Sequence, residues 1–123
     1  MSRLLIIEDN NKFRRTLCSL LVDLSFEIID FGSGEEGVEY SRENDFDILL
    51  VDLVLPGMNG FDLIKKLKKE KKGLKTILMS AYLTEGIRDK AKEYLVVEIL
   101  EKPFEIDELI RIINQLMPTE TLV

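Results

Sequence analysis

The sequence predicts an α/β domain built on an open parallel sheet. Short apolar runs alternate along the chain with stretches of helical spacing, the pattern of repeated strand-helix-strand units. Two of those runs end in acids. Leu4-Leu5-Ile6-Ile7 is closed by Glu8-Asp9, and Ile48-Leu49-Leu50-Val51 by Asp52, after which Leu55-Pro56-Gly57 supplies turn chemistry. Ligands of open parallel sheets bind beyond the carboxyl ends of the strands, so three carboxylates are expected to converge on one edge.

The strands are expected near residues 3–8 (β1), 27–31 (β2), 48–52 (β3), 75–80 (β4) and 96–100 (β5). Phe13, Leu17, Leu20, Leu21 and Leu24 share one helical face and predict an amphipathic α1 opening near Asn10. Ser33-Gly34-Glu35-Glu36 reads as a capping box, with Ser33 as N-cap, and opens α2, which runs to about Asn44. Asn59 can cap α3, with Phe61, Ile64 and Leu67 inward, and Thr84 can cap a short α4 ending near Tyr94. The last helix, α5, is expected from about Glu105 to Met117. Its stripe is Ile106, Leu109, Ile110, Ile113 and Leu116, and Pro118 marks its stop. Residues 1–118 then form one domain, and 119–123 a tail or truncated linker.

With 123 residues the chain can build one core but not two. Its longest apolar runs are four residues, far short of a spanning helix. The apolar start is broken at once by Glu8-Asp9, unlike a signal peptide, so a cytoplasmic location is expected. A single cysteine, Cys18, excludes an internal disulfide and suits a packed thiol. There is no histidine, which removes Ser-His and Cys-His dyads and imidazole-ligated zinc. A net charge of −6 disfavours nucleic acid as a direct partner. The one basic run, Lys65 to Lys72, suits the solvated end of a helix before Gly73, with a docking patch as the lesser reading.

The acids define the chemistry. Mg²⁺ prefers carboxylate, carbonyl and water oxygens and takes few protein carboxylates. Asp9 and Asp52 suit that role, with Glu8 acting through water. Three crowded acids also need a cation, and Lys102, just after the apolar stretch Val96 to Leu100, can supply one. An Asp carboxylate is a competent nucleophile toward phosphorus. Ser80, closing Ile77-Leu78-Met79, can bind a phosphoryl oxygen together with a backbone N–H. Separately, acids after a strand are often helix caps and Lys102-Pro103 could be a turn. The order and spacing of the four elements together carry the argument.

Taken together these residues resemble the receiver domain of bacterial two-component response regulators, over residues 3–117. Glu8-Asp9 is similar to its acidic pair, Asp52 with Leu55 to Gly60 to its phospho-acceptor and following loop, Ser80-Ala81 to its hydroxyl-plus-small pair, and Lys102-Pro103-Phe104 to its Lys-Pro signature. The resemblance implies a flavodoxin-like (βα)5 fold with strand order 2-1-3-4-5 and helices on both faces. It implies a signalling domain rather than an enzyme. Asp52 would accept a phosphoryl group from a histidine kinase or phosphotransfer protein, with Mg²⁺ or Mn²⁺ held by Glu8, Asp9, Asp52 and the Val54 backbone carbonyl. Lys102, Ser80 and the Ala81 N–H would bind the phosphoryl oxygens. Readout to an effector or output domain would use the α4-β5-α5 face, in a monomer or a phosphorylation-dependent dimer.

Two positions depart from the family pattern. Ile99 stands where an aromatic switch residue is usual, and Glu93 to Glu98 lacks the usual alanine-glycine turn. Three rivals are weaker. Gly32-Ser33-Gly34-Glu35-Glu36-Gly37 matches a dinucleotide-binding fingerprint, but Glu35 and Glu36 would sit at the pyrophosphate. A phosphohydrolase would want an acid where Val54 stands. A non-phosphorylated interaction module leaves the complete set of acids, hydroxyl and lysine unexplained.

Overall fold

The computed structural model describes residues 2–117. Five strands, β1 (Arg3–Ile7), β2 (Glu27–Phe31), β3 (Ile48–Asp52), β4 (Lys75–Ser80) and β5 (Glu98–Glu101), pair in parallel in the order β2-β1-β3-β4-β5. Each is followed by a helix: α1 (Asn11–Leu21), α2 (Gly34–Glu43), α3 (Gly60–Glu70), α4 (Glu85–Glu93) and α5 (Ile106–Leu116). This is the parallel α/β sheet the sequence pattern predicts, in the flavodoxin-like strand order that the resemblance implies.

The central strands read as unbroken apolar runs because both faces of the sheet are covered. Leu4, Ile6, Ile48, Leu50, Ile77 and Met79 pack with Leu17 and Leu21 of α1 and Leu109, Ile112 and Ile113 of α5. The alternate residues Leu5, Ile7, Leu49, Val51 and Leu78 pack with Phe61, Leu63, Ile64 and Leu67 of α3, Ala91 of α4 and Val38 of α2. Fully burying such a side chain contributes about 1.5–3 kcal/mol, so these two layers hold the strand ends in place.

The helix starts follow the cap chemistry. Asn10, Ser33, Asn59 and Thr84 each accept a bond from the N–H three residues on. The reciprocal capping box lies on α3, where Asp62 also accepts from the Asn59 N–H, at 3.4 Å. The expected box on α2 is only half formed. Ser33 accepts from the Glu36 N–H, but the Glu36 carboxylate accepts from the Ser33 hydroxyl rather than from its backbone.

Three details differ from expectation. Leu20 is 52% exposed, because the buried stripe of α1 centres on Leu17 and Leu21 and leaves Leu20 at its margin. The α5 stripe is rotated toward Ile112, which packs with Leu109 and Ile113 against both the sheet and α1. β5 begins at Glu98 rather than 96, since the Val96 N–H is spent on the Ala91 carbonyl at the end of α4. Residues 119–123, expected as a tail, lie outside the described residues. No described helix is long and apolar enough to cross a membrane.

Candidate functional site

Register brings the acids together. Ile7 of β1 pairs with Val51 of β3, so the residues that follow them, Glu8 and Asp52, leave the sheet side by side. Alternation also places them on the parity of Ile6 and Leu50, toward α1 and α5. Asp9, one residue on, is exposed. Glu8, Asp9 and Asp52 each present a carboxylate oxygen, all within 4.8 Å of one another. An all-oxygen donor set of this kind fits a hard divalent cation.

Lys102 reaches the same point from the end of β5. Its N–H donates to the Ser80 carbonyl (2.8 Å), extending the β4-β5 ladder by one bond. Its ammonium lies 2.6 Å from Glu8 Oε1 and 3.3 Å from Asp52 Oδ2. The peptide bond to Pro103 is cis. Beneath the ammonium lies the Phe13 ring, its centroid 4.6 Å away, itself met edge-on by Phe104. A cation over an aromatic face is attracted by the ring quadrupole.

Glu8 is 1% exposed, and its other oxygen accepts from the Asn10 N–H (3.2 Å). Burial raises its pKa above the ordinary carboxylate value, and the Lys102 hydrogen bond opposes that rise without cancelling it. Glu8 is therefore turned to Lys102 and the α1 N-terminus, Asp52 is buried at 8% exposure, and exposed Asp9 is the most open of the three acids toward a metal.

Ser80 ends β4 and is 2% exposed. Its parity is that of Leu78, toward α3 and α4, on the side where Ile99 is half-buried. The Ser80 hydroxyl donates to the Tyr82 carbonyl and accepts from the Tyr82 N–H (3.2 Å). It is thus held within its own turn, next to exposed Ala81. Val54 and Tyr82 stand out into solvent, 70% and 74% exposed. Val54 has no proton to give, which tells against a phosphohydrolase.

Sequence reasoning missed one residue that shapes the site. Arg14 of α1 donates to the Glu8 carbonyl (2.7 Å) and to Asp30 (2.8 Å), tying the β1-α1 loop to β2. A single arginine on a helical face gives no signal of such a role in sequence. Phe13 was legible only as core. Cys18 is half-buried, with its pKa pushed up to about 11, chiefly by burial and then by Asp30, as suits a packed thiol. The glycine pattern at 32–37 serves packing. A side chain at Gly32 would meet Arg14, and one at Gly34 would meet Met58, while Ser33 is spent as a helix cap.

Residues 4–114 match the response regulator receiver domain family. The cell cycle response regulator CtrA of Brucella ovis is 32% identical over 117 residues, which are 94% of this chain and 50% of that protein. The chain thus spans about half the length of the curated relatives it matches. Among solved structures, the non-phosphorylated HemR receiver domain of Leptospira biflexa superposes with a TM-score of 0.87 at 29% identity, covering all of both chains. The response regulator protein TrrA of Thermotoga maritima, in complex with Mg(2+)-BeF, gives a TM-score of 0.83 at 28% identity over 94% of this chain and 99% of that one. Fold, site geometry and sequence agree: the chain belongs to the response regulator receiver domains, the phosphorylation-activated receivers of two-component signalling.

Proposed function

We propose that Asp52 is the residue that takes the phosphoryl group, delivered from an imidazole nitrogen of a histidine kinase or phosphotransfer protein. The observation that carries this reading is the placement of the Lys102 ammonium 3.3 Å from Asp52 Oδ2, beside two further carboxylates. An aspartate carboxylate in this position is a competent nucleophile toward phosphorus. One Asp52 oxygen forms the new P–O bond as the N–P bond breaks, and the phosphoryl charge comes to lie next to Lys102. Asp9, Asp52 and the Val54 backbone carbonyl would hold Mg²⁺ or Mn²⁺, whose charge neutralises phosphoryl oxygens when bound. The magnesium complex of the Thermotoga maritima relative supports magnesium at the corresponding acids here.

The switch follows from the bonds Ser80 must exchange. To reach a phosphoryl oxygen, its hydroxyl leaves the Tyr82 carbonyl, and the Ala81 N–H becomes the neighbouring donor. Ser80 shares its side of the sheet with Ile99, so the shift is passed to α4, β5 and α5 by repacking of Ile99 rather than by an aromatic flip. That face then meets an effector or output domain in the cytoplasm.

The test is treatment with a small acyl phosphate and Mg²⁺, read by mass spectrometry. One phosphoryl group should map to Asp52 and vanish in Asp52→Asn and in chelator. Labelling that survives either change overturns the assignment.

A further inference from the structure

The end of α4 carries a residue that its backbone does not favour. Leu95 has φ +58, the left-handed conformation. Its N–H donates to the Lys92 carbonyl (3.1 Å) and the Val96 N–H to the Ala91 carbonyl (2.8 Å), which together make a Schellman cap with Leu95 at the position glycine ordinarily takes. Glycine sits there because it has no Cβ to strain the turn. Leucine bears the strain, and its side chain is 71% exposed, so the described core makes little use of it.

That side chain borders a concavity of about 250 Å³ between α3 and α4, lined by Lys65, Lys68, Lys69, Glu93, Tyr94 and Leu95. Tyr94 stacks on Phe61 with centroids 5.5 Å apart and gives the concavity a firm wall. Lys68 donates to the Leu95 carbonyl (3.0 Å), which ties the lysine row of α3 to the turn. Lysine stems give apolar walls and keep their ammoniums at the rim. Burial pulls the Lys68 pKa below its ordinary value, and an arriving carboxylate would offset that cost. The concavity itself is lined by three lysines, Lys65, Lys68 and Lys69, against one acid, Glu93, in a chain of net charge −6.

We infer that this α3-α4 corner docks an acidic segment of a partner protein, which seats one large apolar side chain against Leu95 while its carboxylates meet Lys65, Lys68 and Lys69. The charge selects an anionic partner. The shallow apolar contact beside the lysines, about 250 Å³, has the size of one side chain rather than the extent of a bilayer surface, and an exposed aliphatic knob adds nothing to recognition of phosphates. The surface lies away from Asp52 and does not depend on the phosphoryl site.

The test is selection of a random dodecapeptide library displayed on phage against the protein, followed by titration of the recovered peptides into ¹⁵N-labelled protein. The expected consensus is one large apolar residue flanked by Asp or Glu, with shifts at residues 65–69 and 93–96. Leu95→Gly should weaken binding roughly tenfold or more, as loss of a central anchor does. Its melting temperature should be unchanged or higher, because the strain at the cap is relieved. Lys65→Glu with Lys69→Glu should also abolish binding. Peptides that are neutral or basic, or that bind Leu95→Gly as well as wild type, overturn the inference. So does Leu95-dependent binding of phosphatidylserine-phosphatidylcholine vesicles or of a single-stranded DNA oligonucleotide without binding of the acidic peptides.

Discussion

Glu8 and Lys102, 94 residues apart in sequence, form a 2.6 Å ion pair in which the carboxylate is almost wholly buried and the ammonium is not. Burial raises the Glu8 pKa despite this partner. For an acid raised on folding, the native state binds more protons than the unfolded chain between the ordinary and the raised value. Stability therefore falls as pH rises through that window, and the full cost is present above it. Glu8→Gln keeps an oxygen for Lys102 and removes the charge. In chelator, its melting temperature should exceed that of wild type at neutral pH and converge with it in acid. Parallel curves across the range would show that Glu8 titrates as it does in the unfolded chain.

Metal affinity should separate the two members of the acidic pair. Glu8 is engaged by Lys102 and the Asn10 N–H, whereas Asp9 is exposed beside Asp52. Asp9→Ala should lose roughly tenfold or more in Mg²⁺ affinity, because so few carboxylates serve the ion. Glu8→Ala should lose less. Titration calorimetry giving the reverse order would assign the direct ligand to Glu8.

Much of the site was legible because the sheet's own rules expose it. An acid that closes an apolar run must emerge at a strand end, so Glu8, Asp9 and Asp52 could be placed on one edge before any coordinates. The caps at Ser33, Asn59 and Thr84, and the start of α1 near Asn10, were legible for the same local reason. What the sequence hides is tertiary. Nothing local shows that Arg14 would reach the Glu8 carbonyl or that Phe13 would lie under Lys102. Helical spacing misassigns Leu20 to the buried face of α1 and leaves Ile112 out of the α5 stripe, because a helix turns its most apolar face toward whatever it packs on, and that direction is set by neighbours remote in sequence.

Gly60 opens α3 and donates to the Leu53 carbonyl (2.7 Å). A Cβ there would lie 2.7 Å from the Asp52 carbonyl oxygen and 3.0 Å from the Leu53 Cα, and neither backbone atom can swing aside. Gly60→Ala should destabilise the fold by about 1–3 kcal/mol, the range for overpacking. It should also slow phosphorylation, since the backbone it displaces carries Asp52. Urea denaturation and acyl-phosphate labelling check the two effects. Normal stability with normal labelling would mean that α3 shifts freely.

Thr76 of β4 is fully buried, and its hydroxyl has no hydrogen-bond partner among the described residues. An unpaired buried hydroxyl costs desolvation with no return. Thr76→Val, nearly the same shape, should stabilise the protein by about 1 kcal/mol without altering labelling at Asp52. Loss of stability on this change would reveal a partner for the hydroxyl.

The lifetime of the phosphorylated state depends on a water approaching opposite the Asp52 oxygen that leaves. Val54 and Tyr82 follow Asp52 and Ser80 by two residues each, and both project into solvent at 70% and 74% exposure. Val54 has no polar atom to activate water, and the Tyr82 ring hinders its entry more than the hydroxyl helps. The Tyr82 backbone is also bound to Ser80, so the ring is carried on the same turn as the Ser80 hydroxyl. A long-lived phosphoryl state follows, cleared by a partner phosphatase or by back-transfer. Val54→Asn with Tyr82→Glu should speed decay by roughly 10²-fold or less, the scale of general-base and orienting effects. Decay is followed by loss of label after removal of the donor. Loss within seconds in wild type, or equal rates in the double variant, would show that water reaches phosphorus by a path these two side chains do not control.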